Sequence, residues 1–138
     1  MATTTNAVLC AQLPKAAFAR VTAANTSLDG SGTITPLLTA GADGCLVTSL
    51  QARCQATVTA TALRLWVSLD GGASWALWDE KLMVAYTVAQ ITAQNAVTFV
   101  DKVAPDTALR LPANAKLGVT SAVALSGGIV FVAEFMDF

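Results

Sequence analysis

From Cys45 to Gln55 the chain alternates in twos, with Leu46, Leu50, Ala52 and Cys54 on one side and Ser49, Gln51 and Arg53 on the other. Successive side chains of an extended strand point to opposite faces, so this period predicts a half-buried β-strand. Thr57, Thr59 and Thr61 then oppose Val58, Ala60 and Ala62, and Leu63, Leu65, Val67 and Leu69 oppose Arg64, Trp66 and Ser68. The apolar side changes parity near Thr61, which predicts one long strand bent at that point.

Turn signals frame this strand. Residues 27–44, SLDGSGTITPLLTAGADG, place one short strand between an Asp-Gly-Ser-Gly turn and a Gly-Ala-Asp-Gly turn. Pro36 takes a donor out of that strand, so it belongs at a sheet edge or a bulge. Asp70, Gly71 and Gly72 predict a hairpin whose second strand runs through Trp75 and Trp78 to Val84. Leu77, Val84, Val88 and Ile91 would share a helical face, but no cap precedes them and the Thr-rich continuation favours strand and then loop. Farther on come AVTFVDKV, a turn at Ala104, Pro105 and Asp106, the strand TALRLP, a break at Pro112, Ala113 and Asn114, and a final hairpin around Ser126, Gly127 and Gly128. About eight to ten short strands at this spacing predict an all-β fold, a jelly-roll-like antiparallel β-sandwich. No longer repeat is present, which disfavours propellers and solenoids.

Composition adds a surface to this picture. The 138 residues suit one domain, 14–138, behind an uncharged Thr-rich N-terminal arm, 1–13. Hydrophobic residues make up 54% of the chain and charged residues 12%, against about 25% charged in ordinary soluble domains. So few charges imply that other chains cover part of the surface, as in an oligomer or assembly component. Eight Lys and Arg against nine Asp and Glu leave no basic stripe for phosphates, so no nucleic-acid partner is expected. Residues 82–100 and 117–133 are uncharged, but polar residues or glycines interrupt both. They suit buried strands better than membrane spans. The first residues lack the positive start of a secretory signal. Cys10, Cys45 and Cys54 fit buried thiols in a protein made in a reducing cytosol.

The chain is poor in chemistry. It has no His, so a Ser or Cys nucleophile would lack its commonest activating base. Asp79 and Glu80 are adjacent and would point to opposite faces of a strand. Asp29, Asp43 and Asp70 lie in Gly turns without the density of oxygen ligands that calcium needs. No catalytic residue, cofactor or metal is expected. Ser68, Asp70, Gly72, Ser74 and Trp75 resemble the Asp-box pattern SxDxGx[ST]W of sialidase propellers, which implies a locked hairpin and carries no activity with it. Trp66, Trp75 and Trp78 could form a sugar-stacking platform, although packing in the core or between subunits is the simpler role.

The stretches TAANTSLDGSGTITPLLTAGADG, RLWVSLDGGASWALWDE and the terminal VAEFMDF resemble a group of small tailed-bacteriophage virion proteins, through an ANTxxDGxGT turn and an AGAxG turn. The resemblance covers most of residues 21–78 and, weakly, the end of the chain. It implies a capsid decoration, or cement, protein on the outer surface of the head shell. Its partners would be the major capsid protein and its own copies, as a homo-oligomer, expected to be a trimer. Candidate contacts are Thr3, Thr5, Val8 and Leu9 of the arm, which could order on the shell or add a strand to a neighbour, together with Trp75 and Trp78. A carbohydrate-binding β-sandwich module and a tail or baseplate structural protein are the alternatives.

Overall fold

Strands with one apolar side bury it by packing two sheets face to face. The computed structural model describes residues 13–104 and 108–138, and among these there are nine strands and no helix. They are β1 (Leu13–Val21), β2 (Thr35–Thr39), β3 (Cys45–Cys54), β4 (Thr61–Ser68), β5 (Ala76–Met83), β6 (Ala96–Val100), β7 (Leu109–Leu111), β8 (Lys116–Ser121) and β9 (Ile129–Asp137). The first sheet has the order β1-β9-β3-β6, with β7 also on β3, and the second has the order β2-β8-β4-β5. Every pair of named strands is antiparallel. The pairs nest, with β1 on β9, β2 on β8, β3 on β6 and β4 on β5, as in a long hairpin rolled up on itself. This is the jelly-roll arrangement, with β7 as an added short strand.

The core lies between the sheets. Val47, Leu50 and Ala52 of β3 and Ile129, Phe131 and Ala133 of β9 come from one side, and Leu63 and Leu65 of β4 and Leu117 and Val119 of β8 from the other; all are fully or almost fully buried. The predicted Pro36 position holds on both counts, since β2 is an edge strand and its register shifts between Pro36 and Leu38. The segment after β5 closes as a loop, tied back by a bridge between Val58 and Tyr86. No helix among the described residues is long and apolar enough to cross a membrane.

Two local expectations are corrected. The parity change near Thr61 is no bend in one strand: β3 belongs to the first sheet and β4 to the second, and residues 55–60 carry the chain across. Leu46 does not share the inward side of Leu50, because a register shift between Val47 and Ser49 resets the alternation and puts Cys45 and Val47 inward instead. Arg64, Trp66 and Ser68, opposite the leucines of β4, are buried as well, so this strand is buried on both faces.

Candidate functional site: the open face of the sandwich

The outer face of the second sheet is covered over β4 and β8 by the chain itself, while Leu77 and Leu82 of its edge strand β5 stay exposed on the same side. After β1 the ANTSLDGSGT segment is built around Asn25, which is buried. Its Nδ2 donates to the carbonyls of Ser31 and Thr33 at 3.1 and 3.0 Å, and its Oδ1 accepts from the amide of Ser27 at 3.0 Å. One side chain thus gathers a whole turn. Arg64 of β4 reaches the Asn25 carbonyl at 3.1 Å and Glu80 of β5 at 2.5 Å, and the Trp66 indole donates to Thr120 Oγ1 at 2.9 Å. Buried polar groups need such partners, and here the turn supplies one of them and strands β5 and β8 the others. Trp75 is half-buried in the same layer: a Cβ on Gly118 would come within 2.9 Å of its ring and 2.4 Å of Ile34, and a Cβ on Gly30 within 2.2 Å of its carbonyl.

The Asp-box residues lock the hairpin between β4 and β5. Asp70 Oδ2 accepts from the Ser74 hydroxyl at 2.5 Å, and its Oδ1 accepts from the Ser74 amide at 2.9 Å and the Ser68 hydroxyl at 2.7 Å. These donors, Ser74 foremost, hold the Asp70 carboxyl well below its usual range. Ser68 also accepts from the Gly72 amide at 2.8 Å, so the turn is a closed network.

The outer face of the first sheet is open. Register places Arg20, Val130 and Arg53 in one row, Phe18, Val132 and Gln51 in the next, then Ala16, Glu134 and Ser49, and last Pro14, Met136, Leu46 and Arg110. Phe18 is 76% exposed and its cross-strand neighbour Val132 is 44% exposed. Four cations stand on or beside this face: Arg20, Arg53 and Arg110 within its rows and Lys102 next to them. Arg20 bonds Gln55, Lys102 lies 3.9 Å from Glu134, and the Arg110 guanidinium sits 5.8 Å from the centre of the Phe138 ring. By contrast Lys15 is held by Asp137 at 2.5 Å, and Arg64 by Glu80, away from this face. A shallow hollow of about 200 Å³ lies over Ser49, Gln51, Arg53, Lys102, Val132 and Glu134.

Beside that hollow, and sharing Lys102 with it, is a cleft of about 520 Å³. Its wall is Leu46, Thr48, Trp78, Ala108 and Leu109, and Asp101, Lys102 and Arg110 bring charge to it. Two ladder irregularities shape it. Thr48 is the residue skipped between Val47 and Ser49 in the β3–β9 register, and Trp78 is the residue skipped between Leu77 and Asp79 in the β4–β5 register. Bulges re-aim side chains, and both of these deliver theirs to the same cleft. Thr48 fixes its hydroxyl on the Glu134 carbonyl at 3.2 Å, and Trp78 stays 51% exposed.

The structure therefore separates the two candidate tryptophans, with Trp78 on the cleft and Trp75 beneath the Asn25 turn. Trp66 is fully buried, so three stacked, exposed indoles are not formed. Thr3, Thr5, Val8 and Leu9 lie outside the described residues. Sequence reasoning missed Phe18, Val132 and Arg110. In β1 the inward positions are the small Ala17 and Ala19, and that reversal of size was a signal for Phe18. Cys45 and Cys54 are free and fully buried, and burial, helped by the nearby Asp137 charge, pushes the Cys45 thiol up to about 11. Among the described residues no cluster of His, Cys, Asp or Glu could hold a metal ion. No protein-family model, curated protein or solved structure matches the chain.

Proposed function

We propose that this protein is a bacteriophage capsid decoration protein, which docks the open face of its jelly roll on the outer surface of the head shell and stabilises it. One observation carries the reading: the chain covers the centre of one outer face, over β4 and β8, with its own turn, but leaves Phe18 and Val132 in the middle of the other exposed among cations. A protein destined to stay alone gains by burying such a row, whereas a component of an assembly keeps it for a partner. The resemblance of the ANTxxDGxGT and AGAxG turns to tailed-phage virion proteins names the assembly. A decoration protein that binds only the finished lattice adds its binding free energy to shell stability by linkage. Self-association, expected as a trimer, would let several weak contacts act together.

The test is mass determination in solution, followed by co-sedimentation with expanded, protein-free shells of the parent phage. A trimer that pellets with shells in saturable proportion is the expected result, and removal of residues 1–13 then measures what the arm adds. A monomer that ignores shells would overturn the reading.

A further inference from the structure

We infer that the cleft bounded by Trp78 and Arg110 is a receptor for an extended protein segment in which a carboxylate stands next to a large apolar side chain. The apolar wall of Leu46, Ala108, Leu109 and Trp78 suits an apolar anchor, because a half-exposed indole offers a broad flat surface to cover. Arg110 makes no ion pair or hydrogen bond among the described residues, and Lys102 has only the distant contact with Glu134. A guanidinium with no carboxylate partner among the described residues, at the rim of an apolar cleft, is complementary to a carboxylate, which it can take with two parallel donors. The whole face repeats this bias, since four of the chain's eight Lys and Arg lie on it or at the cleft, while among the described residues Glu134 and Asp101 are the carboxylates there.

Sugar is the poorer fit. The Thr48 hydroxyl is already committed to a backbone carbonyl, and the wall offers few other neutral polar groups for sugar hydroxyls. The source of the segment, the shell subunit, rests on the decoration reading; its chemistry rests on the cleft alone.

The probe is the blocked peptide acetyl-Ala-Asp-Phe-Ala-amide, added to the ¹⁵N-labelled full chain, with the indole N–H resonances followed by NMR. The resonance missing from Trp78→Phe identifies Trp78, and the buried Trp66 indole reports whether the fold is intact. Saturable movement of the Trp78 resonance is expected, with affinity lowered about tenfold when Asp is replaced by Asn in the peptide or Arg110 by Gln in the protein. Equal binding of the Asp and Asn peptides, no movement at millimolar peptide, or movement with maltohexaose alone would overturn the inference.

Shell co-sedimentation separates the two readings. Wild-type protein that pellets while Trp78→Ala and Arg110→Gln do not supports the cleft on the shell. Equal pelleting of all three overturns it there. Wild-type protein that fails to pellet yet binds the peptide removes the shell as source and leaves the cleft's chemistry supported.

Discussion

The two outer faces of this sandwich are built from similar strands and differ at their centres: the second is covered there by a turn, with only its β5 edge showing Leu77 and Leu82, and the first is not. Over the second sheet, Asn25 gathers a turn, Arg64 and Trp66 find buried partners, and Trp75 packs where Gly118 leaves room. Over the first sheet nothing of the described chain lies on Phe18, and cations stand around it unburied. The same protein thus contains its own example of a covered face. An apolar strand surface can be closed by a ten-residue turn of this very sequence, so the open face is not the unavoidable remainder of a small chain. Under the proposed function it is the face that docks.

The largest expected contrast is in stability. Trp66→Ala should cost about 3–5 kcal/mol, because it empties a fully buried site and strands the Thr120 hydroxyl, and urea unfolding would measure it. Asn25→Ala should cost about 2 kcal/mol, since two carbonyls and one amide lose their common partner. Comparable stability in the Asn25 variant would mean that the turn is not what holds that face closed.

Acid titration gives a smaller effect with a defined sign. The Asp70 carboxyl titrates lower in the folded protein than its ordinary value of 3.8, so its contribution is complete above that pH and fades as pH falls through the lower, folded value. Asp70→Asn should flatten the acid side of the stability profile and leave the neutral side parallel to wild type. The smallest effect belongs to the open face: Phe18→Ser should change stability by no more than about 0.5 kcal/mol in the isolated protein. A large loss there would show that Phe18 supports the fold and is not held out for a partner.

Much of the architecture was legible in the residues. Period-two alternation, Gly-rich turns and Pro36 indicated a jelly-roll-like sandwich with β2 at an edge or a bulge, and the Asp-box spacing anticipated the Ser68–Asp70–Ser74 lock. Alternation has no memory of which sheet a strand joins, so the change at Thr61 looked like a bend when it was a crossing between sheets. It is also blind to single skipped residues, and the bulges at Thr48 and Trp78 therefore hid both the outward turn of Leu46 and the making of the cleft. Arg64 lies opposite the inward leucines of β4, yet its guanidinium is buried on the carbonyl of Asn25, 39 residues earlier in the chain, which local pattern cannot express. Phe18 was overlooked because alanines hold the inward positions of β1.

The most direct test places one carboxylate on each face. Phe18→Glu charges the open row, and Leu28→Glu charges an exposed position on the covering turn of the closed face. Both proteins should unfold at nearly the wild-type urea midpoint. In co-sedimentation with expanded shells, Phe18→Glu should stay in the supernatant while Leu28→Glu pellets like wild type. Pelleting of Phe18→Glu together with loss of Leu28→Glu would assign docking to the face the chain has covered and contradict the distinction between the two.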